Sequence, residues 1–165
     1  MNIFMPEVSI VESIQALDDR RLNKQILECR QIIKANDRLD AGETKVGYSH
    51  HPVVRYYRDK RDFLIWYGLT AVAEYLYRKG KMHSYTSWFY EEAKNIDLRR
   101  LFTYDVIYVE TNSSTNAKYA VDPKFDKSSE VRALFREKLK RKWDADRKRP
   151  TWTNRETPVW YKKEN

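Results

Sequence analysis

The sequence predicts a mainly α-helical protein: a compact single domain over residues 1–165 with three or four helices. Its length suits one domain. Apolar residues make up 41% of the chain, enough for one core, and they recur at helical spacing in three long segments. No internal repeat or Gly/Ser linker divides the chain. A small β-hairpin and an irregular, aromatic and basic C-terminal tail complete the predicted fold.

The first long helix is predicted from Asp18 to Lys34, with Asp18 or Asp19 near its N-cap. Its apolar side chains recur every three or four positions and should face the core. They are Leu22, Ile26, Cys29 and Ile33. The glycine-containing stretch 36–52 is predicted to be a loop.

Pro52 marks the start of a second helical region. Residues 53–79 form either one long central helix or two helices joined near Asp59. Gly68 lies on the apolar side and would let another helix approach closely, and Gly80 suits a helix C-cap. The apolar stripe contains Val54, Tyr57, Leu64, Gly68, Val72, Tyr75 and Leu76.

The remaining elements are shorter or less regular. A helix is predicted over 86–95. The β-prone runs 105–110 and 118–121 flank turn residues and favour a small hairpin. A long helix over 128–147, opened by Ser128 or Ser129, is followed by Pro150 and the irregular tail 150–165.

The formal charge of +8 is concentrated at the C-terminal end. Residues 136–165 hold eleven Lys/Arg against five Asp/Glu, so six of the eight charges lie there. A clustered positive patch attracts phosphate backbones, although membrane surfaces and acidic proteins remain open as partners. Aromatic residues alternate with these cations, and they either stack on nucleotides or pin the tail to the core. They are Trp143, Trp152, Trp160 and Tyr161.

Several function classes lack their sequence signals. There is no apolar run of about 18 residues and no signal-peptide pattern, so no membrane span is expected. The single cysteine, Cys29, fits a reducing compartment, and we expect a cytoplasmic location. Four glycines allow no phosphate-cradling loop, and His50, His51 and His83 lack zinc-ligand spacing. No metal and no cofactor are therefore predicted.

One side of the first helix carries a specific polar set. Arg21, Gln25 and Glu28 line up there, with Lys24 at the edge. An ordinary solvated face would explain the pattern, since such side-chain pairs contribute only about 0.2–0.5 kcal/mol each. A carboxylate among cations would also suit a catalytic role.

Three segments, in order, resemble the phage pyrimidine-dimer DNA glycosylases of the endonuclease V type. Residues 17–30 resemble that family's first catalytic helix, and residues 51–80 resemble its central helix with the closing Lys/Arg-Gly. The third segment is Arg-Pro-Thr-Trp at 149–152, followed by Trp-Tyr-Lys-Lys at 160–163. Together they cover about half the chain. The first-helix pattern falls on Leu17, Asp19, Arg20, Arg21, Leu22 and Glu28.

The resemblance implies a small, helical, metal-free enzyme that uses its N-terminal amine as a nucleophile. The amine attacks C1′ of the target deoxyribose, the base leaves, a Schiff base forms, and β-elimination can nick the strand. An α-amine, with a pKa of about 7.7–8.0 against about 10.4 for lysine, is partly neutral near pH 7. By resemblance Glu28 stabilises the cationic sugar and handles protons. The catalytic candidates are thus Met1 or Asn2, which would supply the amine, and Glu28.

The resemblance also implies double-stranded DNA as the partner, with the target nucleotide extruded from a kinked duplex. We expect a monomer, located in the host cytoplasm if the chain is phage-encoded. The DNA-binding candidates on the first helix are Arg20, Arg21, Lys24, Gln25 and Arg30, and those in the tail are Arg147, Lys148, Arg149, Trp152, Trp160, Tyr161 and Lys162.

The sequence departs from the family where substrate choice is decided. Residue 2 is asparagine rather than threonine, the segment before Leu22 is longer, Arg21 replaces a histidine and Leu27 replaces an arginine. The target is therefore a damaged or a modified pyrimidine. A phage base-modification enzyme on the same fold is the alternative, and a non-catalytic DNA-binding module is the third.

Overall fold

A computed structural model describes residues 1–96 and 128–162, together with the backbone of 108–109 and 119–120. The helices are α1 (Ile10–Ala16), α2 (Asp19–Asp40), α3 (Pro52–Tyr56), α4 (Arg61–Lys79), α5 (Thr86–Ala93) and α6 (Ser128–Ala145), with a 3-10 turn at Val159–Tyr161. Strands β1 (Tyr108–Val109) and β2 (Tyr119–Ala120) pair antiparallel, with Tyr108 opposite Ala120. The mainly α prediction is confirmed. The rest of the predicted hairpin lies outside the described residues.

The described part has more helices than predicted, partly because α1 was not expected. Ser9 and Glu12 form a capping box: the Ser9 hydroxyl accepts from Glu12 N–H at 3.1 Å, and Glu12 Oε2 accepts from Ser9 N–H at 3.3 Å. The Ser-x-x-Glu spacing was the signal that could have predicted it. Ile14 and Ala16 lie on the inner side of this short helix and are buried.

Helix α2 crosses the centre of the molecule and packs mainly against α4. Its predicted apolar residues, Leu22, Ile26, Cys29 and Ile33, are each at most 1% exposed, which confirms the helical stripe. The helix runs on to Asp40, so the predicted loop begins later than expected. The buried amide of Asn36 donates to Val54 O at 3.0 Å, which ties this last part of α2 to α3.

Two helices, α3 and α4, replace the single long helix that was one of the two expectations. The helix is interrupted between Tyr56 and Arg61, around Asp59, as the two-helix alternative predicted. Gly80 ends α4 in a left-handed conformation with φ of 63°, as a C-cap glycine does. Leu76, predicted to be buried, is 44% exposed, because no other described element covers that side of the last turn.

Gly68 is the point where α5 approaches α4. A Cβ at this position would overlap the Phe89 ring, which is fully buried. The predicted close approach is confirmed.

The C-terminal tail is fixed to the core by aromatic packing. Trp143, 2% exposed on α6, stacks with Trp160 at 5.3 Å and contacts Trp152 and Tyr161 edge-on at 5.1 and 4.5 Å. Its indole N–H donates to Asp18 Oδ1 at 2.7 Å, next to the start of α2. These contacts fit the interpretation that the rings pin the tail to the core; their stacking on nucleotides stays a prediction. No helix in the described ranges is long and apolar enough to cross a bilayer.

Candidate active site

Residues 2–6 form a buried segment without regular secondary structure, which contacts α2. Ile3, Phe4 and Met5 are at most 4% exposed and belong to the core. The Tyr67 hydroxyl, on α4, donates to Phe4 O at 2.8 Å and so fixes this segment between the two long helices.

This segment carries residue 2 to the carboxylate of Glu28. Asn2 N–H donates to Glu28 Oε2 at 3.2 Å, and the two residues are 6% and 7% exposed. Met1 lines the same cleft and is partly exposed. Asn2, one of the two residues expected to supply the amine, therefore has its backbone nitrogen in contact with Glu28.

Gln25 holds this arrangement together, a role that the sequence did not indicate. It is 1% exposed, and its amide nitrogen donates to Asn2 O at 2.8 Å and to Glu28 Oε2 at 3.0 Å. Its amide oxygen accepts from Phe4 N–H at 2.9 Å and from the Tyr67 hydroxyl at 3.0 Å. One side chain thus fixes both the path of the N-terminal segment and the position of the carboxylate.

Cations from two helices surround the carboxylate. Lys24 Nζ lies 3.8 Å from Glu28 Oε1, and Lys138 Nζ donates to Asn2 Oδ1 at 3.4 Å. Lys138 and Lys142 lie one turn apart on α6, a spacing that could have identified them in the sequence. The cleft is lined by Met1, Asn2, Phe4, Arg20, Arg21, Lys24, Gln25, Glu28 and Lys142.

Arg20 and Arg21 share one carboxylate, that of Asp146. Arg20 contacts Asp146 Oδ1 at 3.3 Å, and Arg21 donates to Asp146 Oδ2. Arg21 also donates to Lys142 O at 3.3 Å and contacts Asp18 Oδ2 at 3.5 Å. The hydrogen bond from Arg21 is the main reason that the pKa of Asp146 is lowered. Arg21 is 8% exposed, so this predicted DNA contact is largely covered in the DNA-free protein.

Arg30 lies in an aromatic environment. Its guanidinium is 4.3 Å from the centre of the Tyr85 ring and 5.4 Å from that of Trp88, within cation–π range. Among the described residues its buried Nε has no hydrogen-bond partner.

A second cleft brings the basic start of the tail next to α2. Arg20 lines both clefts, so the two adjoin at this side chain. The second cleft is lined by Asp18, Asp19, Arg20, Lys79, Asp146, Arg147, Lys148, Arg149, Pro150 and Thr151. The predicted cations of the tail thus lie beside those of the first helix.

Asp19 anchors the tail in this position. Its N–H donates to Thr151 O at 2.8 Å, and its carboxylate accepts from Lys79 at 2.7 Å and from Thr153. Burial alone would raise the pKa of Asp19, but the hydrogen bonds from Lys79, Thr153 and Arg78 outweigh it and lower the pKa to about 2. The Arg-Pro-Thr-Trp segment therefore contacts the start of α2 directly.

The aromatic candidates of the tail contact other parts of the protein, whereas Lys162 lies at the surface. Trp152 and Trp160 donate their indole N–H groups to Ala16 O at 3.0 Å and Glu7 Oε1 at 2.6 Å. Tyr161 packs on Trp143 and Trp152. Lys162 is exposed, 4.0 Å from Glu156.

A buried carboxylate beside the start of the chain, inside adjoining basic clefts, is the kind of site that acts on a nucleic acid. The chain belongs to the pyrimidine dimer DNA glycosylase family, whose model matches residues 1–90. The match contains the catalytic-helix and central-helix segments of the predicted resemblance; the tail segment lies beyond it. No curated protein and no solved structure matches the chain. Membership places the protein among the DNA glycosylases, which are enzymes that act on DNA.

Proposed function

We propose that the protein is a DNA N-glycosylase with AP-lyase activity that attacks C1′ of a damaged or modified pyrimidine nucleotide. The α-amine of Asn2, freed by removal of Met1, is the nucleophile, and Glu28 assists it. The observation that carries the proposal is the 3.2 Å contact between Asn2 N and Glu28 Oε2 in a buried position.

The geometry favours Asn2 over Met1 as the source of the amine. As long as Met1 is attached, the nitrogen next to Glu28 belongs to an amide, whose lone pair is delocalised and not nucleophilic. Removing Met1 converts this nitrogen into an amine at the same place. It also vacates the part of the cleft that Met1 lines, where a sugar would have to enter.

The proposed reaction begins with attack by this amine on the target sugar. The amine forms a bond to C1′ as the C1′–N bond to the base breaks, and the base leaves with the electron pair and takes up a proton. The C1′–O4′ bond then breaks: O4′ leaves with the electron pair and takes up a proton, and the nitrogen lone pair forms the C1′=N bond of a protonated Schiff base. Removal of a C2′ proton then expels the 3′ phosphate with its electron pair. Glu28, held by Gln25, can accept the proton that the attacking amine loses and can stabilise the cationic sugar.

In this scheme the cations that line the two clefts bind phosphates of the DNA. Lys24 and Lys142 line the cleft around Glu28, and Arg20 connects it with the basic second cleft. Phosphates on either side of an extruded nucleotide would meet positive charge in both clefts, which favours a bent duplex over an isolated nucleoside.

Glu28→Gln tests the role of the carboxylate. We expect cleavage of duplexes that carry an abasic site or ultraviolet damage to fall by about 10²–10⁴-fold, while DNA binding is not weakened. Glu137→Gln, an exposed position on α6, is the control that makes the same charge change and should retain activity. Unchanged cleavage by Glu28→Gln would overturn the mechanism.

A base-modification activity on the same fold is the second candidate. It is favoured by Arg21, which replaces a family histidine and is committed to Asp146 and Asp18, so the pocket is lined differently. Activity on duplexes with hypermodified pyrimidines, but none on ultraviolet-damaged DNA, would support it. DNA binding without reaction on any of these duplexes would instead support a binding module.

A further inference from the structure

The contact between Asp146 and two arginines of α2 resembles the way arginines bind a phosphate. Both carboxylate oxygens are used, one by Arg20 and one by Arg21. A phosphate offers the same arrangement of anionic oxygens to two guanidinium groups, and its hydrogen bonds to them are charge-assisted, as those of a carboxylate are.

Apart from these contacts and the nearby charge of Lys142, the position of Asp146 does not favour a carboxylate. It follows the last residue of α6, where the helix dipole and the free carbonyl groups disfavour an anion. Its side chain is 14% exposed. Of the neighbouring acidic residues, Asp18 accepts from Trp143 and also contacts Arg21 at 3.5 Å, and Asp19 accepts from Lys79. Asp146 is thus held mainly by Arg20 and Arg21.

The arginine pair lies where the clefts adjoin. Arg20 has a side chain that is 70% exposed and lines both of them, whereas the side chain of Arg21 is 10% exposed and lines the first cleft. A strand whose sugar lies at Glu28 and whose backbone continues toward Arg147 would pass this pair.

We propose that Arg20 and Arg21 form a binding site for a DNA backbone phosphate that Asp146 occupies in the free protein. Asp146 thus competes with the DNA phosphate for the two arginines. Because DNA must displace Asp146, non-specific binding of DNA is weakened. The phosphate contact is made where the duplex is bent into the cleft. This inference rests on the proposed action on DNA, but it concerns affinity rather than chemistry.

Asp146→Asn is the direct test, with affinity for undamaged duplex and for a duplex with a non-cleavable abasic analogue measured from 50 to 300 mM salt. Freeing the pair for one phosphate should tighten binding to both duplexes by about threefold to tenfold, and for the undamaged duplex it should also steepen the salt dependence by about one phosphate equivalent. Glu137→Gln makes the same change in net charge on α6 and should alter affinity by less than about twofold. Equal effects of the two variants, or no effect of Asp146→Asn, would overturn the proposal.

Arg20→Gln provides a second test that does not depend on the fold of the first variant, because the Arg20 side chain is largely exposed. It should weaken binding and reduce the salt slope, and the loss should be larger in the Asp146→Asn background. An unchanged slope contradicts the site. If Asp146→Asn tightens binding but no duplex is cleaved, the phosphate site stands and the glycosylase proposal fails. If duplexes are cleaved but Asp146→Asn leaves affinity unchanged, the glycosylase proposal stands and the phosphate site fails.

Discussion

Replacing Gln25 with leucine should destabilise the protein strongly. The two side chains have similar volumes, but leucine makes none of the four hydrogen bonds. Phe4 N–H and Asn2 C=O would lose the partners described above in a buried environment, at about 1–3 kcal/mol for each group. We therefore expect the free energy of unfolding to fall by about 2–6 kcal/mol, a large share of the roughly 5–15 kcal/mol of a typical domain.

Tyr67→Phe is the matched control. It removes one hydroxyl that donates to Phe4 O and to the Gln25 oxygen, but it leaves the Asn2–Glu28 contact and both bonds from the Gln25 nitrogen in place. Its cost should be about 1–2 kcal/mol. Activity should fall sharply in Gln25→Leu and only modestly in Tyr67→Phe.

Urea unfolding followed by tryptophan fluorescence measures both costs, with equal m-values showing that the same transition is compared. A cost of Gln25→Leu no larger than that of Tyr67→Phe would refute the bridging role of Gln25. Full activity in a destabilised Gln25→Leu variant would refute it as well, since Glu28 would then not need its amide partner.

Two further predictions concern stability. The pKa of Asp19 is lowered, so its contribution to the free energy of unfolding is present above the ordinary pKa of 3.8 and is lost as the pH falls toward about 2. Asp19→Asn should therefore lower the free energy of unfolding by about 1–2 kcal/mol at pH 6, after allowance for solvent screening, and by almost nothing at pH 2. Acid-unfolding curves measure both values. Gly68→Ala should cost about 1–3 kcal/mol in thermal unfolding because the new methyl group overlaps Phe89, whereas Gly47→Ala, with open space around it, should be close to neutral. Equal melting temperatures for the two alanine variants would contradict the packing argument.

The helices were predictable where apolar periodicity was strong. The α2 stripe from Leu22 to Ile33 is buried as its spacing indicated. Helix α1 has only seven residues, too few to establish an apolar periodicity, so its capping box was the clearest local signal. The burial of Leu76 was predicted wrongly because periodicity cannot show where the packing partner of a helix ends.

The candidate site was predictable in part. The pattern on α2 and the family resemblance identified Glu28, and the contact with residue 2 is present. The bridging role of Gln25 and the position of Asp146 depend on long-range contacts: Gln25 and Tyr67 are 42 positions apart, and Arg21 and Asp146 are 125 apart. Local sequence patterns contain no information about such pairs. The tail aromatics were open to two interpretations because a tryptophan among cations can pack inward or outward.

The most direct test of the proposed mechanism is borohydride trapping on an abasic duplex, followed by trypsin digestion and mass spectrometry. The N-terminal tryptic peptide ends at Arg20 and contains no lysine, so an adduct on it reports the α-amine. We predict a sugar adduct on this peptide, beginning at Asn2, and its loss after N-terminal acetylation or in Glu28→Gln. An adduct that maps to Lys24, Lys138 or Lys142, or a yield unaffected by acetylation, would contradict the assignment of the nucleophile.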